Sequence, residues 1–392
     1  MFIMKRFKQT LSLALAGVMV TAAPVTAFAA SPEFARSAEE WAKLRDNTIE
    51  YDELEGLIQE YNATVQTNNL DLAEFKRKYG DTKDDVSSKY RDMADEIYSS
   101  ITYPDSDEAT YGMMVGSVVM AEVQAKNMES QADDNLQDSE IVYLNYKSAE
   151  KTLVTVAQSN MISYEKDQLA LKQAELAKRQ AEISLTSTQT QAALGMSTQV
   201  DVLNAQENIQ NAERTVESSK VAIENVRQKL QVMLGWKYND TPEITAVPVS
   251  DMNRIAAMNP ETDKAQALEN NYTLKVNKKK LANATSANTK ESLQKTIEDN
   301  ERKIGSALVT NYQNVLTAKL AYDQAEANLN LAKRNLNSMQ LQFDQGKASR
   351  NQLENQQITV ENAELALKTA DLTLFQTMET YDWAVNGLAS TS

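Results

Sequence analysis

The sequence predicts an all-α, elongated protein built from two tandem long helical hairpins. Three observations carry that reading. First, a short capping stretch occurs twice, Gly195-Met196-Ser197-Thr198-Gln199-Val200-Asp201 and Gly346-Lys347-Ala348-Ser349-Arg350-Asn351-Gln352, with its glycines 151 positions apart. Second, residues 105–241 and 261–392 contain no proline, which leaves room for long uninterrupted helices. Third, apolar residues on both sides of each copy recur every seven positions, the period of a coiled coil.

Composition agrees and narrows the function. The 392 residues include 10 Gly, 6 Pro, no Cys and no His. Low Gly and Pro favour helix. Without Cys or His, most metal, thiol and Ser/His chemistry is removed. Composition leaves a carboxylate-based enzyme open; the expectation for the chain is no enzymatic activity, no catalytic residue, no metal site and no cofactor. The net charge of −15 argues against nucleic acid and anionic lipid as partners.

In chain order, Lys5, Arg6 and Lys8 precede an apolar run from Leu11 to Val20 and a small-x-small site at Ala27-Phe28-Ala29. This reads as a signal peptide over 1–29 and an exported protein. Its loss would remove three positive charges, taking the net charge to −18. No later stretch reaches the 18 or so apolar residues of a transmembrane helix. Residues 30–235 form a first repeat, 236–260 a proline-containing connector, and 261–388 a second repeat.

Within the first repeat, residues 31–80 read as one or two helices with Trp41, Leu44, Ile49, Leu54, Leu57, Ile58 and Tyr61 on a face. Thr82 to Asp85 reads as a helix start and Tyr103 to Asp107 as a turn. A helical pattern follows from about 111 to Leu194, with a break expected near Asp133-Asp134. The apolar run Met113–Ala121 reads as a buried helix face because it is short; membrane contact is the alternative.

Each repeated stretch reads as one helix ending, a tight turn, and another helix starting. Glycine just past a helix end adopts the left-handed conformation of a C-cap. Thr198 with Asp201, and Ser349 with Gln352, have capping-box spacing. After the first tip (195–198) the rows are Val202, Ile209, Val216, Ile223, Leu230 and Ala205, Ala212, Ser219, Val226, Met233. After the second (346–349) they are Leu353, Val360, Leu367, Leu374, Tyr381 and Gln356, Ala363, Ala370, Thr377, Ala384. Before the second tip run Leu308, Val315, Tyr322, Leu329, Leu336, Phe343 and Ala318, Ala325, Ala332, Met339. A sustained seven-residue period implies left-handed supercoiling. Gln173-Ala174-Glu175 returns as Gln324-Ala325-Glu326, and Asn211-Ala212-Glu213 as Asn362-Ala363-Glu364, both 151 positions on, so the chain reads as a duplication. Leu268-Glu269-Asn270-Asn271 resembles Leu44-Arg45-Asp46-Asn47. That pairing gives the first copy about 73 additional residues, within roughly 62–138. Lys178, Arg179, Lys333 and Arg334 read as solvated or as i,i+4 partners.

Tandem copies of a long helix, a glycine tip and a second long helix, with Leu203-Asn204-Ala205-Gln206 followed by Ala212, and Leu234-Gly235 closing the first copy, resemble the TolC-like outer membrane efflux proteins. The resemblance covers most of 140–392 and, more weakly, 35–65. It implies a homotrimer whose helices form a coiled-coil α-barrel, a tunnel of the cell envelope. The location implied is the outer membrane where the organism has one, otherwise the cell wall or exterior. It also implies hairpin tips that face a periplasmic-adaptor or membrane-fusion-type protein serving an ABC or other exporter. The docking residues so implied are Gly195, Met196, Ser197, Thr198, Phe343, Gly346, Lys347, Ala348 and Ser349. Phe343 matches an aromatic that often stands three before the tip glycine in the family; Ala192 does not. Asp201 matches an acidic residue that lines the tunnel entrance; Gln352 in the second copy would halve such a ring's charge. The family's transmembrane β-barrel needs a strand-turn-strand insertion in each copy. The second copy has no room for one, and 62–138 lacks the alternating ten-residue stretches such strands need. A barrel-less variant is expected. The alternative is a structural coiled-coil protein of the envelope or cell wall with no conduit. A third reading, an adaptor with a helical hairpin, requires a Gly-rich β domain that is not visible.

Overall fold

Long helices dominate because their core rows are spaced at the helical period and their ends carry dedicated caps. In the computed structural model, residues 36–105, 111–237 and 239–391 are described. The expected signal peptide lies outside them, as do Ser106 and Asp107 of the expected turn. Twelve α-helices are present among the described residues: α1 (Ala38–Leu44), α2 (Leu54–Tyr61), α3 (Ala63–Tyr79), α4 (Lys83–Ser100), α5 (Tyr111–Asp133), α6 (Ser139–Ala193), α7 (Gln199–Met233), α8 (Met252–Ala257), α9 (Pro260–Asn270), α10 (Tyr272–Asn283), α11 (Ala287–Asp344) and α12 (Arg350–Trp383). The described strands are two residues each. β1 (Thr48–Ile49) pairs in parallel with β2 (Glu243–Ile244), fastening the connector to the start of the first copy.

The 55 residues of α6 and 58 of α11 make rods of about 82 and 87 Å at 1.5 Å per residue. α6 pairs with α7 and α11 with α12; α6 also lies along α12. That side-by-side contact is held by Lys166 Nζ to Gln376 (2.7 Å), Gln180 to Asn355 (2.8 Å) and Arg179 to Glu361 (2.5 Å). Every residue of the heptad rows is buried or half-buried. Of the cationic residues read as solvated or as i,i+4 partners, Lys178 lies near Glu182 one turn on, and two also pair within a hairpin. Lys178 reaches Glu213 at 2.9 Å and Lys333 reaches Glu364 at 3.1 Å, each across its own hairpin. Glu213 and Glu364 are equivalent positions of the two copies, 151 apart.

The large cores sit at the ends of the rods away from the tips. One joins Trp41, Leu54, Leu57 and Ile58 to Met161, Leu230, Leu372 and Phe375. The other joins Ile255, Leu274, Ile304 and Leu308 to Leu374, Met378 and Tyr381. Toward the tips the described cluster is small, centred on Leu329, Ala332 and Val360.

The structure revises how the copies align at this thick end. Asn62 caps α3, accepting from Thr64 and Val65 N–H, and its Nδ2 donates to Met233 O at 2.8 Å. Asn271 caps α10, accepting from Leu274 N–H, and its Nδ2 donates to Ala389 O at 3.0 Å. Beside each stands a glycine at positive φ, Gly235 (88°) against Tyr61 and Gly387 (110°) against Asn270. By its cap and the neighbouring glycine, Asn62 rather than Asn47 matches Asn271, though its amide reaches two residues before Gly235 and that of Asn271 two residues after Gly387. Asn62 precedes Gly195 by 133 positions and Asn271 precedes Gly346 by 75, so the first copy carries 58 extra residues, not 73. A π-helical turn at Ala384–Leu388 inserts one residue, which is why Gly235 and Gly387 are 152 apart while the tip glycines are 151 apart.

The extra residues fold as a helical hairpin of α4 and α5, which pack chiefly on each other. Its base is pinned where Ser87 Oγ donates to Ala132 O (2.9 Å) and Asn135 Nδ2 to Lys83 O (3.2 Å). The run Met113–Ala121 is not the buried face its length suggested. Only Val118 within it is buried, while Met113 and Met120 are each 76 % exposed.

Candidate functional site

The tips are built from backbone hydrogen bonds that an ending helix leaves free. At the first, Gly195 N–H donates to Ala192 O (3.0 Å) and Met196 N–H to Gln191 O (2.8 Å), with Gly195 at φ 71°. At the second, Gly346 N–H donates to Phe343 O (2.9 Å) and Lys347 N–H to Gln342 O (2.8 Å), with Gly346 at φ 68°. Both are Schellman closures. A Cβ on either glycine would meet nothing within 4 Å, so conformation, not crowding, selects glycine there.

The N-cap of the next helix, Thr198 or Ser349, stands three residues after each glycine. Thr198 N–H donates to Asp201 Oδ2 at 2.7 Å while Asp201 N–H donates to Thr198 Oγ1 at 3.2 Å. Ser349 N–H donates to Gln352 Oε1 at 2.8 Å while Gln352 N–H donates to Ser349 Oγ at 3.3 Å. Ser197 and Thr198 hydroxyls also donate to Asp201 Oδ2 (2.9 and 2.7 Å). The Thr198 backbone bond, then these hydroxyls, hold the Asp201 carboxyl below its ordinary pKa. That oxygen is thus engaged in capping. Gly195, Met196, Thr198, Gly346, Lys347 and Ser349 are exposed, and Ser197, Phe343 and Ala348 half-buried.

The two tips share a backbone but not a surface. Leu194, Met196, Val200 and Leu203 are exposed at the first, at 70, 77, 63 and 55 %. The positions 151 further on are Gln345, Lys347, Asn351 and Glu354. One tip is apolar and the other polar. Sequence reading caught the turn chemistry but not this contrast; the signal was that Val200 and Leu203 fall off the heptad rows. Among the described residues no cluster of three or more acidic side chains could hold a metal ion, and no helix is long and apolar enough to cross a membrane.

No protein-family model matches the sequence, and no curated protein matches it. Solved structures do match the fold. It is the fold of TolC-like outer-membrane channels. The CmeC outer membrane channel of Campylobacter jejuni superimposes with a TM-score of 0.52 at 11 % identity, over 90 % of this chain and 88 % of that one. The outer-membrane channel OprN gives 0.52 at 13 %, over 93 % and 96 %. A membrane protein from Pseudomonas aeruginosa gives 0.54 at 12 %, over 94 % and 100 %.

Proposed function

We propose that this chain is an efflux or secretion component of the cell envelope, with no catalysis of its own. It works as a homo-oligomer, a trimer by analogy with the family it resembles, whose long hairpins close a helical tunnel. The tips, Gly195–Thr198 and Gly346–Ser349 with Phe343, dock a membrane-fusion-type adaptor that serves an ABC or other exporter. Asp201 and Gln352 stand beside the tunnel entrance.

The observation that carries this reading is the one-sided packing of the rods. Their thin tip-side core leaves Leu203, Leu331 and Leu341 exposed, at 55, 51 and 62 %. A helical layer with apolar residues on both faces is buried by neighbours. The shared fold with channel proteins supports a closed ring as the form those neighbours take.

The test is the mass and shape of the purified mature chain. Sedimentation should give a closed trimer, and particle images should show an axial opening. A monomer, or a solid bundle without a lumen, would leave the structural coiled-coil alternative standing. Bulky replacements at Gly195 and Gly346 should abolish adaptor capture with helicity intact. Capture that survives them removes the docking role.

A further inference from the structure

α5 carries a seven-residue repeat on two opposite faces. The inner one, Met114, Val118, Ala121, Ala125, Met128 and Ala132, is buried or half-buried, with Val118, Ala125 and Ala132 fully covered. The outer one is Met113, Gly116, Met120, Val123, Asn127 and Ser130, at spacings of 3, 4, 3, 4 and 3. All six are exposed. Residues 111–121 contain no charge at all. A helix that is apolar on opposite sides is one that is covered on both, and α4 covers only one.

We propose that the outer face of α5 is a homotypic interface, packed in parallel along α5 of the other copies of this chain around the symmetry axis of the oligomer. The sequence around the seam fits that occupant. Alternating 3–4 spacing is the pattern of a coiled-coil partner. Gly116, with open space where a Cβ would stand, permits close approach. Asn127 within the row is the kind of polar residue that fixes register. Flanking positions that face each other in a parallel pair are Val119 with Gln124 and Lys126 with Gln131, so no like charges meet. Glu122 and Glu129 fall outside the seam.

A bilayer fits less well. Eleven uncharged residues span about 16 Å, roughly half the hydrocarbon core. Helices lying in a membrane interface present Lys and Arg beside their apolar face. Between Arg91 and Lys126 the sequence has neither, and it has seven acids.

The inference rests on the oligomeric part of the proposed function and adds a contact to it. The chain has no cysteine, so a single introduced thiol reports one position. Met120→Cys and Glu129→Cys, both at exposed sites, are compared in the full chain under mild copper-catalysed oxidation, with circular dichroism to verify helicity. The expected result is disulfide-linked pairs for Met120→Cys and little linkage for Glu129→Cys. Equal or absent linkage in a chain that still sediments as an oligomer overturns the α5 contact alone. A monomer overturns it together with the tunnel. An environment-sensitive dye on Met120→Cys should not change emission when phosphatidylcholine–phosphatidylglycerol vesicles are added. A blue shift on addition would make lipid the occupant and also overturn the proposal.

Discussion

Replacing four glycines by alanine, one at a time, separates conformational strain from crowding in this fold. Gly195, Gly346, Gly235 and Gly387 all have positive φ, at 71°, 68°, 88° and 110°. An L-residue in that region costs about 1 kcal/mol. For the tip glycines the cost ends there, because a Cβ meets nothing within 4 Å. At Gly235 the added carbon would stand 2.6 Å from Tyr61 Cβ, and at Gly387 2.7 Å from Asn270 O. These atoms belong to, or sit directly on, the backbone where α2 and α9 end, so relief requires moving a helix end. Overpacking of this kind adds about 1–3 kcal/mol. The expected losses are therefore about 1 kcal/mol at Gly195 or Gly346 and about 2–4 kcal/mol at Gly235 or Gly387. Urea unfolding followed by circular dichroism reads the difference as a midpoint shift at unchanged slope. If Gly195→Ala and Gly387→Ala shift the midpoint equally, the crowding argument is wrong. If the tip variants are the more damaging, the tips are not the open turns described.

Two further outcomes follow from the caps. Asn62→Ala and Asn271→Ala each remove an N-cap and a hydrogen bond from the side-chain amide to a distant carbonyl of the same chain, Met233 O or Ala389 O. A loss of about 2 kcal/mol is expected for each in the same unfolding assay. The cap at Asp201 depends on pH and the one at Gln352 does not. Asp201 has a folded pKa below its ordinary value, so its contribution is present above the unfolded pKa and is lost as pH falls through the folded one. Amide exchange in the first turn of α7 should therefore quicken on acidification through that window, while the first turn of α12 stays unchanged. A carboxyl titration of Asp201 by NMR sets the window, and equal fraying of both turns contradicts the assignment.

The parts of this architecture visible in the sequence are those governed by local rules. The rows through Val216 and Val360 obey a helical period. The tips obey capping chemistry, because Thr198 and Asp201 need only each other. The thick end was misaligned, since an asparagine that caps α10 looks like any other asparagine until its amide reaches Ala389, 118 residues away. Strands of two residues, such as Thr48–Ile49, are too short to leave a periodic trace. The run from Met113 to Ala121 is helical, as its pattern predicts, but most of it is not buried. Periodicity tells which residues share a face, not whether anything in the same chain covers it. The one-residue π insertion at Ala384–Leu388 is invisible for a related reason: the heptad reaches Ala384, where the insertion begins.

The α4–α5 hairpin belongs to one copy of the duplication only, and this sets how the molecule can be counted. A ring of n chains presents 2n tips at one end of its rods but n hairpins at the base of the other. Ligands of the tip end can therefore bind at one or two per chain, choosing between an apolar and a polar tooth. Anything that engages α4–α5 is limited to one per chain. A ratio of two per chain, measured without any image, would then place a partner at the tips.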